Sequence, residues 1–205
     1  MNKHESIRTR PTLLARMKDL GDDGSWREFF EIYHNLIHGY VINQGLPEQD
    51  AEDIVMEIVE GVARGMPQYV YDPQGLAKFK TWLFRIVKNC IADHWRSRKR
   101  RMGHLEQVPD GMEVLEETAD PASLVPDQKW EEEWEANLLQ VAWEVVSQQT
   151  SPRKLQMFLY SQEHSVAKTA AQLVVTVEEV SQAKFRITEK LRMEVERLRQ
   201  KEGGR

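Results

Sequence analysis

Hydrophobic residues recur every three or four positions along most of the chain, a pattern that predicts α-helices in two groups. In the first group, the repeat runs from Ser25 to about Gln44, from about Glu48 to Arg64, and from Phe79 into a basic tail. A weaker repeat covers Thr12 to Leu20. Glycine and proline separate these segments. The pattern therefore predicts an all-α fold whose first part is a compact helical bundle.

The second group of helices begins near Trp130 and is interrupted at Thr150–Pro152. A short helix over Ser165–Leu173 precedes a tight connection, and Thr176 with Glu179 forms a capping box at the start of a long final helix. A short helix, a brief turn and a longer basic helix outline a helix-turn-helix, in which the second helix enters the major groove. Many helical hairpins with this outline only pack, so the pattern leaves both interpretations open.

Residues between the two groups are rich in proline, glycine and acids and have little periodicity, as expected of a flexible linker. The predicted organisation is an N-terminal extension with a short helix (1–24), a first helical domain (25–101), an acidic linker (102–130), a second helical domain (131–200) and a disordered tail (201–205). Two small helical domains joined by an acidic linker thus describe the expected chain.

Charge is distributed in blocks, although the net charge of −5 is small. Residues 78–101 contain nine basic side chains and one acid, whereas residues 104–135 contain eleven acids and one base. Residues 48–60 contain six acids and no base. Such blocks indicate either surfaces that bind polyanions and basic partners or solvated helix faces.

Several classes of protein are disfavoured by the composition. There is no apolar run long enough to span a bilayer and no signal-peptide core, and Cys90 is the single cysteine, so we expect a cytoplasmic protein. His34 and His38 have a metal-ligand spacing but lack the companion ligands of a known pattern. Phosphate-binding loops and nucleophile elbows are absent from the sequence. We therefore expect no enzyme activity, no cofactor and no metal.

A family resemblance gives these patterns a functional interpretation. The stretch FKTWLFRIVKNCIADHWR from Phe79 to Arg96, followed by SRKRR, resembles the region 2 signature of bacterial sigma factors of the extracytoplasmic-function group, in the sigma-70 family. The acidic helix of that region is similar to DAEDIVME from Asp50 to Glu57. The final helices resemble region 4 through Ala170, Leu173, Thr176, Val180, Arg186, Leu191 and Arg192. The resemblance implies a region 2 bundle followed by a region 4 helix-turn-helix.

The resemblance also implies partners and site residues. Core RNA polymerase would be bound through its β′ coiled coil and β flap, promoter DNA would be recognised and melted, and an anti-sigma protein is a further partner of such factors. The polymerase-binding residues would be Asp50, Asp53, Ile54 and Glu57. The −10 element would contact Tyr69, Tyr71, Lys78, Lys80, Asn89, Arg96, Arg98, Lys99 and Arg100. The −35 element would contact Thr176, Glu178, Glu179, Gln182, Lys184 and Arg186.

Three departures from the family pattern and two alternatives qualify this interpretation. Met56 stands where glutamine is usual, Lys168-Thr169 replaces a glutamate followed by isoleucine or valine, and Val174 replaces the glycine of the turn. Phe79 and Trp82 lie on the apolar stripe, so we expect them in the core and not on DNA. The alternatives are a sigma-fold protein–protein adaptor and a stand-alone helix-turn-helix regulator.

Overall fold

The computed structural model describes residues 11–70, 79–102 and 125–203. For a few of these residues near helix ends, only the backbone is described. These residues form helices and turns without a strand, which confirms the predicted all-α class. The helices are α1 (Pro11–Arg16), α2 (Asp23–Asn43), α3 (Glu48–Gly65), α4 (Phe79–Met102), α5 (Gln128–Gln148), α6 (Pro152–Glu163), α7 (Val166–Leu173) and α8 (Val177–Gly203). Within this part of the chain, none of the helices is long and apolar enough to cross a membrane.

The contacts divide the chain into two compact units, and the boundary between them lies inside α5, after Asn137. In the first unit, α3 packs against α2 and α4. The close approach of α3 to α4 depends on two glycines, because a Cβ at Gly61 would lie 3.0 Å from Ile86 and one at Gly65 would lie 3.0 Å from Trp82. The core of these helices contains Phe29, Tyr33, Leu36, Ile37, Tyr40, Val41, Ala51, Ile54, Val55, Ile58, Val62, Phe79, Leu83, Phe84, Val87 and Ile91.

Ser25 and Glu28 have the spacing of a capping box, which predicts Ser25 as the N-cap of α2, but the helix begins earlier, at Asp23. Asp22 is the N-cap, and its carboxylate accepts a hydrogen bond from the Ser25 backbone N–H at 2.9 Å. Arg16 at the end of α1 pairs with the same carboxylate at 2.9 Å and with Glu28 at 3.3 Å. The Arg16 guanidinium holds the pKa of Asp22 below its usual value. The predicted capping box is therefore wrong, because Asp22 supplies the cap and Glu28 binds Arg16.

The first half of α5 packs into the first unit. Trp130 is fully buried, with its ring 5.1 Å from that of Tyr40 and 5.5 Å from that of Phe84. Trp134 is 2% exposed and lies 5.8 Å from the ring of Tyr33. The sequence-based domain boundary at residue 130 therefore falls inside a continuous helix, while most of the predicted linker (103–124) lies outside the described residues.

The second unit is built from the rest of α5 and from α6, α7 and α8. One buried cluster joins Met157, Ala170, Val180 and Ala183, with Leu173 and Val175 packed against it. A second cluster joins Val146, Phe158 and Ile187. One side of α8 packs into these two clusters, and its opposite side faces solvent.

A three-residue turn connects α7 to α8, and a capping box sets the start of α8. The Thr176 hydroxyl accepts from the Glu179 N–H at 3.1 Å, and the Glu179 carboxylate accepts from the Thr176 N–H at 2.8 Å, as predicted. These bonds to Thr176 hold the pKa of Glu179 below its usual value. Val174 caps α7 in the left-handed conformation, with φ 51° and ψ 55°, and is 86% exposed.

Replacing Val174 with glycine should stabilise the second unit. A β-branched residue in the left-handed region costs about 1–2 kcal/mol, whereas glycine adopts it freely but loses about 0.5–1 kcal/mol more chain entropy on folding. We expect Val174→Gly to raise the free energy of unfolding by about 0.5–1 kcal/mol, which is a few degrees in Tm. Val175→Gly, which removes a side chain packed on the Met157 cluster, is the matched control and should lower Tm. A lower Tm for Val174→Gly would contradict the strain argument.

Candidate functional site

An acidic flank runs along the side of α3 that faces the end of α4. It consists of Asp50, Asp53 and Glu57, which are spaced three and four residues apart and so share one side of the helix. Asp53 and Glu57 are exposed, whereas Asp50 is half-buried and its Oδ2 lies 3.2 Å from Nη1 of Arg98. This acidic flank borders a shallow pocket lined by Gln49, Asp50, Asp53, Ile54, Glu57, His94 and Arg98. A carboxylate-lined concavity of this kind suits a basic protein partner.

Ile54 has a different environment from the acids that surround it. Its side chain is 1% exposed and belongs to the core of the first unit. Ile54 therefore packs beneath the acidic flank and has little surface that a partner could contact. The sequence-based expectation was that Ile54 contacts the polymerase directly. Met56 is 51% exposed and lies three residues after Asp53, at the edge of the acidic flank.

A basic face lies on α4, on the side opposite its buried stripe. Asn89, Arg96 and Arg100 share this outer face with Arg85, because successive members are four or seven residues apart. Arg100 is exposed, and the other three are half-buried. Arg96 pairs along the helix with Asp93 at 3.2 Å. Arg85 was not among the site residues predicted from sequence, although its spacing of four from Asn89 places it on the same face.

Two cations expected at the −10 element do not lie on this outer face. Arg98 pairs with Asp50 and its guanidinium lies 5.7 Å from the ring centroid of Trp95. Lys80 pairs with Glu131 at the start of α5, and only 17% of its side chain is exposed. The basic block predicted from sequence is therefore divided, with part of its charge already paired to acids of the same unit.

Tyr69, which was expected to contact the −10 element, packs against other aromatic rings of the first unit. Tyr69 is 5% exposed, with its ring 4.7 Å from that of Trp82 and 5.9 Å from that of Phe79. Phe79 is buried and Trp82 half-buried, in agreement with the core role predicted for them. Tyr69 thus anchors the end of the preceding segment and presents no open face on which a base could stack. Tyr71, Lys78 and the side chain of Lys99 lie outside the described residues.

In the second unit, the solvent side of α8 carries polar side chains suited to base edges. Glu178, Gln182 and Arg186 are exposed and follow one another at intervals of four, and the Gln182 amide donates to Glu178 at 3.2 Å. Lys184 is also exposed, and its Nζ lies 3.5 Å from the Ser161 carbonyl oxygen. Phe185, which was not predicted as a site residue, is 67% exposed beside Gln182. An exposed aromatic ring here is suited to contact with a thymine methyl group.

A groove between α6 and α8 places further cations next to that solvent side. It is lined by Ser151, Arg153, Lys154, Met157, Glu179, Gln182, Ala183 and Arg186. Arg153 and Lys154 are exposed in the first turn of α6. Cations at a helix start, beside a row of polar side chains, can hold phosphates while the neighbouring row contacts bases.

Cys90, His34 and His38, which were considered from the sequence, lie among the described residues. Burial raises the pKa of the Cys90 thiol to about 11, so the nucleophilic thiolate is scarce. His34 lies 3.2 Å from Glu52, and His38 lies 3.6 Å from Glu48. Among the described residues, no group of three or more His, Cys, Asp or Glu side chains is placed to hold a metal ion.

Comparison with known families finds a match for part of the first unit. Residues 29–101, from α2 to the end of α4, match the family model described as Sigma-70 region 2. The match supports a member of the sigma-70 family, and such a region implies a role in binding RNA polymerase and melting promoter DNA. This family is generally non-enzymatic. The chain matches none of the curated proteins with which it was compared.

Proposed function

We propose that the protein is a sigma factor of the extracytoplasmic-function group, a detachable subunit that gives bacterial RNA polymerase its promoter specificity. It binds core polymerase through the acidic flank of α3, which docks on the β′ coiled coil, while the second unit lies against the β flap. It acts in the cytoplasm and performs no chemistry of its own. An anti-sigma protein that holds the free factor is a further expected partner.

The observation that carries this proposal is the pairing of two surfaces of opposite charge within one unit. The acidic flank and the basic outer face lie on different helices, and both fall inside residues 29–101, the region that matches. A subunit that joins a basic protein surface to DNA needs one surface of each sign. A stand-alone DNA-binding regulator has no comparable need for the exposed carboxylates of Asp53 and Glu57.

In this proposal, promoter opening uses the outer face of α4. Arg85, Arg96 and Arg100 on the outer face hold phosphates of the −10 region, a salt-sensitive contact that carries no sequence information. Asn89, on the same face, has amide groups that can pair with a base edge. Lys80 and Arg98 contribute only when they are released from their acidic partners.

The second unit reads the −35 element through a helix-turn-helix formed by α7 and α8. Glu178, Gln182 and Arg186 face the base edges, because a carboxylate accepts from cytosine and an amide or guanidinium pairs with purines. Thr176 and Glu179 serve mainly to fix the start of α8 through their mutual hydrogen bonds. Lys184, next to the Ser161 carbonyl, supports α6 more than it contacts DNA.

Promoter opening by reconstituted holoenzyme tests this proposal. Promoter fragments are first selected by binding to the holoenzyme, and permanganate then detects their unpaired thymines. We expect Arg96→Ala/Arg100→Ala to reduce opening about tenfold at moderate salt, because two phosphate contacts are lost. The affinity of the Arg96→Ala/Arg100→Ala variant for core polymerase should not change.

A matched variant distinguishes the loss of phosphate contacts at the outer face from the loss of positive charge in general. Lys18→Ala/Arg27→Ala removes two exposed cations from the same unit and should open promoters as the unmodified protein does. Equal opening by all three proteins would contradict the role of the outer face. An adaptor without promoter function would bind core polymerase and open no promoter at all.

A further inference from the structure

The start of α5 covers two cations of the first unit with acids of its own chain. Glu131 forms an ion pair with Lys80, and Asp127 Oδ2 lies 3.7 Å from Nζ of Lys88. The two lysine side chains are only 17% and 21% exposed. The ammonium group of Lys80 also lies 5.5 Å from the ring centroid of Trp134. Both cations therefore belong to the basic block by sequence but are shielded from solvent in the fold.

The acids that cover these lysines are held in place by a buried and hydrogen-bonded support. Asp127 accepts from the Tyr40 hydroxyl at 2.5 Å and from the Trp130 N–H at 2.9 Å, so it also caps α5. Burial, followed by the hydrogen bond to Asp127, raises the pKa of Tyr40. Trp130 and Trp134 are buried against α2 and α4, which fixes the position of Glu131 between them.

Carboxylates and phosphate oxygens compete for the same ammonium groups. A nucleic acid gains binding free energy from each cation that it neutralises, because condensed counterions are released. A lysine that is already paired with a carboxylate gives a smaller gain, since the first pair has to be broken and its acid left beside the incoming phosphate. The carboxylates at the start of α5 thus contact the same two ammonium groups that phosphates would need.

We propose that Asp127 and Glu131 are an internal competitor of nucleic acid, which masks Lys88 and Lys80 in the free chain. Single-stranded DNA reaches these ammonium groups only by displacing the two carboxylates. The inference rests on the proposed function of the first unit as a DNA-binding unit. It adds a regulated step, because any event that draws the start of α5 away from α4 also raises the affinity for DNA.

Neutralising the two acids in the full-length chain tests the masking. Asp127→Asn/Glu131→Gln removes the charges but keeps a side chain that can cap α5 and accept from Tyr40. We expect this variant to bind a fluorescein-labelled oligodeoxythymidine about tenfold more tightly at low ionic strength, measured by fluorescence anisotropy. Glu132→Gln/Glu135→Gln makes the same charge change at exposed positions of α5 and should gain much less.

A double-mutant cycle identifies the lysines as the masked groups. Lys80→Ala/Lys88→Ala should weaken DNA binding little in the unmodified chain but about tenfold in the neutralised variant, where the lysines are open. An equal gain in the two neutralised proteins, or a gain that persists without the lysines, would overturn the proposal. The proposed function is tested independently of the masking, because it would be contradicted if none of these proteins bound core RNA polymerase.

Discussion

Reversing the charges of Asp53 and Glu57 abolishes binding to core RNA polymerase, if the acidic flank of α3 is the docking surface. Both side chains are exposed, so Asp53→Lys/Glu57→Lys leaves the core unchanged. Losing a close charge pair at an interface costs about 2–5 kcal/mol, and each 1.4 kcal/mol is about tenfold in affinity. We therefore expect Kd to rise at least about a hundredfold. A fluorescence titration of labelled protein with core polymerase measures it.

Asp50 is left unchanged in this variant, because it already pairs with Arg98 and its reversal would disturb the contact between α3 and α4. The matched control is Glu48→Lys/Glu52→Lys, which reverses two exposed acids on the opposite side of the same helix, near His38 and His34. This control should bind polymerase with nearly the original affinity. Equal losses in the two variants would mean that net charge, and not the acidic flank, governs binding.

Truncating Trp130 destabilises the first unit, although this residue lies beyond the region that matches the family. Its side chain is fully buried against Tyr40 and Phe84, and a large cavity remains when it is removed. We expect Trp130→Ala to lower the free energy of unfolding by about 3–5 kcal/mol. Denaturant unfolding followed by near-ultraviolet circular dichroism measures the change.

Leu139→Ala is the control for this truncation, because Leu139 is on the same helix and 53% exposed. Its effect should stay within about 0.5 kcal/mol. If Trp130→Ala were equally mild, the start of α5 would not be part of the first unit. In that case the masking of Lys80 and Lys88 would lose its structural support.

Periodicity was sufficient to predict the local structure of most described helices. The apolar repeats of α2, α3 and α4 are strong, and the capping box of Thr176 and Glu179 is a short-range signal that needs no tertiary information. Asp22 displaced the predicted cap of α2 because Arg16, on another helix, fixes its carboxylate. A contact of that kind is not visible in a local pattern.

The sequence predicted which helices carry the candidate site but not which of their side chains are accessible. The sequence placed carboxylates on α3 and cations on α4, and the fold then determined which of them remain accessible. Ile54 and Tyr69 are buried, and Arg98 and Lys80 pair with acids that lie 48 and 51 residues away in sequence. Such pairings depend on tertiary packing, which helical periodicity alone does not encode.

The start of α5 gives the clearest example of this limit. The acids from Asp127 to Glu133 were grouped with the linker by composition, or with the second domain by helical pattern. Trp130 and Trp134 attach this segment to the first unit, through contacts with residues about 50 to 100 positions earlier in the chain. A buried tryptophan pair on an acidic helix is a signal that sequence analysis could have used.

Binding to core RNA polymerase tests the central claim most directly. In a titration of the fluorescently labelled full-length chain with bacterial core polymerase, we expect saturable binding that an established sigma factor competes away. The Asp53→Lys/Glu57→Lys variant should lose this binding, and the Glu48→Lys/Glu52→Lys variant should keep it. Absence of saturable binding by a folded, helical protein would contradict the account and would leave the acidic flank of α3 for a different partner.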